Sequence, residues 1–255
     1  VGGLGGGTTL PGEGLQHCDG QSHVLASTIP NCVTYDPTWG YEIAVIMQHG
    51  LHRMLELQED VFYYITVMNE KYAQRAMPKG SEQGILKGLY PVQKAKPSKA
   101  KNKPKHHVQL LGSGAIMLEV LAAAVLLKDD FNVDADIWAA TSFNELRKEA
   151  LDVQHWNLPH PSEQAKIAYV SECLAPTQGP IIAATDYMKI YADQIREFLP
   201  GKHYRVLGTD GFGRSDTRTQ LRNFFEVDRR YIAYAAIKSL VDSKEMSDRK
   251  STRLN

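Results

Sequence analysis

Along the chain, segments with hydrophobic residues at helical spacing alternate with short continuous hydrophobic runs. Apolar residues recur three and four positions apart over residues 39–56, which predicts a helix there. The run at 61–67 is β-branched and aromatic throughout, and it predicts a strand buried on both faces of a parallel sheet. Residues 34–37, which include Asp36 and Pro37, are interpreted as a turn into the helix.

The second half of the chain continues this alternation. We predict strands at 108–111, 136–141, 181–185 and 204–207, and helices at 115–128, after Ser142, at 186–198 and from Asp228. Ser142 with Glu145 three residues later predicts a capping box. The predicted caps of later helices are Asp186, Asp228, and either Ser215 or Asp216. Such alternation predicts an α/β fold with a mostly parallel sheet between helices.

Composition and chain length indicate that the protein has two domains. The chain has 255 residues, 43% of them hydrophobic and 23% charged, with no net charge. Six lysines alternate with small residues and proline just before His107, where little can be buried. We therefore predict a first domain at 1–91, a linker at 92–106 and a second domain at 107–247. The alternative for the linker is a basic docking strip for an acidic partner.

Charge, hydropathy and cysteine usage exclude several classes of protein. A neutral chain lacks the basic balance of a dedicated nucleic-acid binder. Its apolar runs are all much shorter than the ~20 residues that cross a bilayer. Three cysteines without a Cys-x-x-Cys pair favour a reduced compartment, so we expect a cytoplasmic protein.

The glycine-rich run at 12–20 and the residues after it carry the most candidate chemistry. Glu13, His17, Asp19 and His23 place two carboxyl groups and two imidazoles within eleven residues. Glycines allow the backbone to approach a ligand closely. The run predicts either an active-site loop or a surface turn with incidental histidines.

Other candidate motifs are incomplete. Gly112-Ser113-Gly114 lies between a strand and a helix like a dinucleotide fingerprint, but Met117 replaces its third glycine, so a tight turn is the alternative. The glycine-rich loop at 208–216 has two aspartates but not the full ligand series of a calcium loop. His155 and His160 have no further ligand at suitable spacing and are interpreted as structural.

Several longer motifs together resemble one enzyme family. They lie at 8–10, 12–17, 29–31, 35–37, 63–66, 68–70, 76–78, 141–143, 185–189 and 208–216. These segments resemble the homodimeric bacterial pyruvate dehydrogenases, the thiamine-diphosphate-dependent first component of the pyruvate dehydrogenase complex. The resemblance spans nearly the whole chain apart from the lysine-rich segment and the last eight residues. Gly6-Gly7 departs from it, because relatives usually carry an arginine there.

The resemblance implies a fold and a position within a longer polypeptide. Residues 1–91 are similar to the end of a thiamine-diphosphate-type pyrimidine-binding domain, and 107–247 to a transketolase C-terminal domain. The ligands of the diphosphate and of Mg²⁺ are then expected upstream, so we assign neither cofactor-binding nor metal-binding residues here. We expect residues 248–255 to be non-native, because they match a translated sequencing adapter.

The resemblance also implies an activity and its residues. The activity is oxidative decarboxylation of pyruvate with reductive transfer of the acetyl group to a lipoyl group of the dihydrolipoyl acyltransferase. His17 and Glu13 correspond to catalytic residues, with Gln16, Asp19 and His23 in the vicinity of the active site. A homodimer that binds no nucleic acid and no membrane is expected, and the fragment alone is expected to be inactive. The alternatives are a non-catalytic module for dimerisation or docking, and a transketolase-like enzyme or another 2-oxo acid dehydrogenase.

Overall fold

Two sheets organise the fold. The computed structural model describes residues 6–10, 15–95 and 106–247. Its strands are β1 (Cys32–Tyr35), β2 (Phe62–Ile65), β3 (Tyr90–Gln93), β4 (His106–Gly112), β5 (Val133–Ala139), β6 (Ile181–Ala184) and β7 (Tyr204–Leu207). Strands β1 and β2 form a parallel pair, and the other five form a sheet in the order β3-β5-β4-β6-β7. Among the described strands of that sheet, β3 alone runs antiparallel, which confirms the predicted mostly parallel α/β fold.

Helices cover both faces of the larger sheet. They are α1 (Ser22–Ala26), α2 (Gly40–Leu51), α3 (Glu82–Lys87), α4 (Met117–Phe131), α5 (Phe143–Asn157), α6 (Tyr169–Leu174), α7 (Lys189–Asp193), α8 (Arg218–Phe224) and α9 (Arg229–Asp242). Alternate residues of a strand point to opposite faces. Val108 and Leu110 of β4 accordingly pack with α4 and α9, whereas Leu111 packs with α5, α6 and α7. Within the described ranges, no helix combines the length and apolar character needed to cross a bilayer.

The lysine-rich segment lies between two strands of one sheet. Tyr90 and Pro91 of β3 pair with Ala139 and Trp138 of β5, and β4 begins at His106. The outer strand of the second sheet therefore starts before the predicted boundary at 91/92. Residues 96–105 and the predicted non-native tail at 248–255 lie outside the described residues.

Two predicted helix caps are confirmed and two are wrong. The Ser142 hydroxyl accepts from Glu145 N at 3.0 Å, but the reciprocal half of the predicted capping box does not form, because Ser142 N donates to Gly88 O at 3.2 Å. The Asp228 carboxylate caps α9 through Arg230 N and Tyr231 N. Helix α7 begins only at Lys189 after Met188, because the Asp186 carboxylate is hydrogen-bonded to a distant segment instead. Thr217 caps α8 in place of Ser215 or Asp216.

The first sheet also differs from expectation. Strand β1 occupies Cys32–Tyr35, and Asp36 rather than Thr34 starts the turn to α2. Phe62 of β2 is 45% exposed, so β2 is not buried on both faces. Among the described strands, β2 pairs with β1 alone, so no described strand lies along its other edge.

Candidate functional site

The carboxyl ends of the two sheets meet at one junction. Asp36 directly follows β1, and its backbone N donates to Thr141 O beyond β5 at 2.8 Å. Gly114 N, after β4, donates to Asp36 O at 3.1 Å. Thr66 follows β2 and donates its backbone N to Tyr35 O at 3.0 Å. Open α/β sheets place ligands beyond the carboxyl ends of their strands, so a ligand is expected near this junction.

The turn at 112–114 packs against a buried carboxyl group and supports the tight-turn interpretation. Gly114 has φ +48°, and a Cβ atom there would lie 2.7 Å from both oxygens of Asp36. Burial raises the pKa of Asp36 to about 7, although hydrogen bonds from Ser113 and Thr66 oppose that shift. A phosphate placed at this turn would face a buried carboxyl group in addition to the backbone N–H groups that bind phosphate in a dinucleotide site.

The predicted loop presents His17 to solvent. Residues Leu15–His17 form a single 3₁₀ turn in which Gln16 and His17 are exposed. Asp19 is half-buried, and its Oδ1 accepts from Gln21 N at 3.1 Å and from Ser22 N at 2.9 Å. Asp19 thus holds the turn into α1. Glu13 lies outside the described residues.

His23 faces the interior, away from the exposed imidazole of His17. Its ring is fully buried, stacks on Tyr191 at 4.7 Å and meets Tyr187 edge-on at 4.6 Å. Its Nε2 lies 3.0 Å from Thr66 Oγ1, and Thr66 donates to Asp36 Oδ1 at 2.8 Å. Burial lowers the pKa of His23 to about 3, so the imidazole is neutral at neutral pH. His23 therefore joins the junction of the sheets and gives no exposed group to the loop.

The loop is attached to the second sheet at both ends. Segment 6–10 is buried, and Thr8 and Thr9 hydrogen-bond to Asp186 just after β6. After His17, the Cys18 thiol lies 3.5 Å from Arg214 O, on the glycine-rich loop at 208–216. Phe212 at the tip of that second loop is 84% exposed. The two loops therefore border one surface, with His17 and Phe212 both open to solvent.

An ion-pair cluster ties α8 to the junction. Arg222 is 5% exposed and forms a bidentate pair with Glu70, which follows β2. Its Nη1 also lies 3.5 Å from Glu119 Oε1 on α4, and its Nε donates to Thr8 Oγ1 at 3.4 Å. The Arg222 guanidinium thus contacts Glu70 after β2, helix α4 of the second domain, and segment 6–10 before the loop.

Sequence reasoning missed the anchoring residues Asp186, Thr8 and Arg222. The signal at Asp186 is a polar residue directly after a predicted strand, and that signal predicts a helix cap. Thr8 and Arg222 follow no predicted strand and give no comparable local signal. The two predicted structural histidines are separate from the junction. His160 stacks on Trp156 at 4.4 Å, which fits its predicted role.

Among the described residues, no three or more His, Cys, Asp or Glu side chains form a group suited to a metal ion. The carboxylates of Asp19 and Asp186 already accept from protein donors.

Comparison with known families identifies the two parts of the chain. Residues 88–228, more than half of the chain, match the transketolase-like TK C-terminal domain. The chain belongs to this transketolase-like family. Residues 1–75 match the pyruvate dehydrogenase E1 component middle domain. The junction described above therefore lies between a middle-domain segment and a C-terminal domain.

Curated relatives agree with this assignment. The pyruvate dehydrogenase E1 component of Pseudomonas aeruginosa is 60% identical over 242 residues, which cover 95% of this chain and 27% of that protein. The Escherichia coli K12 protein of the same name is 48% identical over 254 residues, covering 97% of this chain and 28% of that protein. The resemblance to pyruvate dehydrogenases is thus confirmed, and the chain spans about a quarter of the length of these relatives.

Solved structures agree on the fold. A transketolase variant from Pichia stipitis superimposes with a TM-score of 0.64 at 15% identity, covering 96% of this chain and 30% of that one. Transketolase from Campylobacter jejuni gives a TM-score of 0.62 at 16% identity, covering 92% of this chain and 30% of that one. At these identities the likeness concerns the fold alone.

Proposed function

We propose that the full-length protein containing this chain catalyses the thiamine-diphosphate-dependent oxidative decarboxylation of pyruvate, with reductive acetyl transfer to a lipoyl group. The observation that carries the proposal is the exposed His17 imidazole, held on a loop whose two flanks are buried against the second sheet. Relatives named pyruvate dehydrogenase E1 component share 48–60% identity across the same residues.

We assign the described residues to the substrate side of such a site. The Asp186 carboxylate accepts from Thr8 and Thr9, and Asp36 Oδ1 accepts from the Thr66 hydroxyl. We place the ligands of the diphosphate and of Mg²⁺ in the part of the full-length protein that this chain does not cover. When bound, thiamine diphosphate supplies the carbon nucleophile and the electron sink for decarboxylation of a 2-oxo acid.

His17 contributes orientation and proton transfer in this proposal. A neutral imidazole donates from one nitrogen and accepts at the other, so it can hold a carboxylate or carbonyl oxygen and exchange a proton with it. Glu13, four residues earlier, is proposed to orient that imidazole. Gln16 is exposed beside His17 and can donate a further hydrogen bond to the substrate.

We further propose a homodimer that delivers its acetyl group to the lipoyl-bearing dihydrolipoyl acyltransferase in the cytoplasm. Cys18, Cys32 and Cys173 form no disulfide, as is usual in a reducing compartment. The neutral net charge gives no basic balance for nucleic acid.

A substrate panel on the full-length enzyme with thiamine diphosphate and Mg²⁺ tests the function. We expect carbon dioxide release and acetyl transfer to a lipoyl domain with pyruvate. The controls are a branched-chain 2-oxo acid, 2-oxoglutarate and a ketose phosphate. Preference for another 2-oxo acid, or ketol transfer from the ketose phosphate, contradicts the assignment of pyruvate.

A further inference from the structure

The two ends of the His17 loop are attached to the same turn of the other domain. We propose that Asp186, on the turn after β6, is a positioning residue that holds the loop carrying His17 in its working place. The effect on catalysis rests on the proposed function, whereas the anchoring of the loop does not.

The entrance of the loop is bound to the Asp186 carboxylate. Oδ1 accepts from Thr8 N at 3.1 Å and from Thr8 Oγ1 at 2.6 Å, and Oδ2 accepts from Thr9 Oγ1 at 2.7 Å. Both threonines are at most 1% exposed. A charged acceptor with three donors in a buried place makes stronger hydrogen bonds than a neutral one. The carboxylate therefore fixes the chain eight to nine residues before His17.

Backbone fit around the same residue reinforces this attachment. Gly7 N donates to Asp186 O at 2.7 Å. Gly6 has φ +78°, and a Cβ atom there would lie 1.9 Å from Asp186 Oδ2. Any other residue at position 6 would have to displace the carboxylate. The segment before the loop is therefore shaped to receive this side chain.

The exit of the loop is bound two residues further along the same turn. Met188 N donates to Gly20 O at 2.9 Å. Thr209, after β7, donates its hydroxyl to Asp186 O at 2.7 Å, and a Cβ atom on Gly20 would lie 3.2 Å from Thr209 O. The exposed His17 thus lies between an entrance and an exit that are both attached to this turn.

The surroundings of Asp186 favour a carboxylate over an amide. Burial raises the pKa of Asp186 to about 6, while the hydrogen bonds from Thr8 and Thr9 and the nearby Arg222 guanidinium oppose the shift. The Asp186 carboxylate in turn helps to raise the pKa of the nearby Asp36. Asparagine would present an NH₂ group where one threonine now donates, so it keeps the size of the side chain but loses an acceptor.

The test is the reactivity of Cys18, the residue next to His17, in the full-length enzyme with Asp186→Asn. Cys173 on α6 is the internal reference, since both thiols are half-buried. We expect the ratio of iodoacetamide alkylation rates, Cys18 over Cys173, to rise roughly tenfold, the effect of weakening one or two charge-assisted hydrogen bonds. Turnover of pyruvate should fall by a similar factor, with unchanged affinity for thiamine diphosphate.

Glu42→Gln is the matched control. Glu42, near the start of α2, is an equally buried carboxyl group with a raised pKa. It accepts from Thr38 N, Trp39 N and the Tyr90 hydroxyl, none of which lies on the loop. The Glu42→Gln variant should have lower thermal stability and an unchanged alkylation ratio. If Asp186→Asn fails to fold, Thr9→Val removes a single donor and should raise the ratio by a smaller factor.

The outcomes separate the two proposals. An alkylation ratio for Asp186→Asn no higher than that for Glu42→Gln overturns the positioning role. A raised ratio with unchanged turnover supports the anchoring and instead contradicts the role given to His17 in catalysis. A raised ratio with lowered turnover supports both.

Discussion

His23 illustrates how its neighbours decide what a histidine does. In the sequence it stands six residues from His17 and was predicted to lie in the vicinity of the active site. In the structure its ring is enclosed by Tyr187 and Tyr191, which come more than 160 residues later. No local sequence pattern predicts that His23 is enclosed, because its burial depends on how α7 packs against α1. The catalytic roles of His17 and Glu13, and the place of His23 in the vicinity of the active site, stay predictions.

The buried His23 makes stability depend on acidity. The unfolded chain binds a proton at this imidazole below about pH 6.5, whereas the folded protein does so only near pH 3. Its stabilising contribution is present above pH 6.5 and is lost as the pH falls. Relative to His23→Phe, the free energy of unfolding of the wild type should drop by about 2 kcal/mol between pH 7.5 and pH 5. Urea unfolding at both pH values measures it, and parallel pH dependences would contradict the account.

At the scale of elements, the sequence predicted well where local chemistry decides. Ser142 and Asp228 cap their helices because their partners are backbone groups two or three residues away. Asp186 has the same residue type after a strand, yet its partners Thr8 and Thr9 are 178 and 177 residues distant. The Ser142 and Asp228 caps could therefore be predicted from local sequence, whereas the anchoring of the loop could not.

Helix α8 tests the corrected cap. The Thr217 hydroxyl accepts from Gln220 N at 3.3 Å, so Thr217→Ala should lower the free energy of unfolding by about 1 kcal/mol. Asp216→Ala is the control, because that carboxylate accepts from Thr217 N and does not cap the helix. Chemical denaturation of both variants measures the difference. A larger loss for Asp216→Ala would restore the cap predicted from sequence.

At the scale of the whole molecule, one buried ion-pair cluster joins the two domains. Arg222 contacts Glu70 after β2, Glu119 on α4 and Thr8 before the loop. Removing one partner of a buried pair leaves an uncompensated charge, which is far costlier than losing a surface pair. The cluster therefore couples the loop's position to the association of the two sheets.

Replacement of this arginine should destabilise the whole molecule. We expect Arg222→Met to lower the free energy of unfolding by about 2 kcal/mol, because Glu70 is then left with Arg218 at 3.8 Å and Glu119 with the half-exposed Arg229. The control is Arg205→Met, whose pair with Asp242 is partly exposed and should be worth less than about 1 kcal/mol. Denaturant titration compares the two variants. Equal losses would show that the cluster does not hold the domains together.

The most direct test of the account is turnover by the His17→Ala variant of the full-length enzyme, measured with saturating thiamine diphosphate and Mg²⁺. Loss of a positioned acid–base group predicts a fall in pyruvate-dependent carbon dioxide release of roughly 100-fold or more. The dissociation constant of the cofactor should stay unchanged, since its ligands are proposed to lie elsewhere. Wild-type turnover in this variant would contradict the central claim that the anchored loop presents His17 to the substrate.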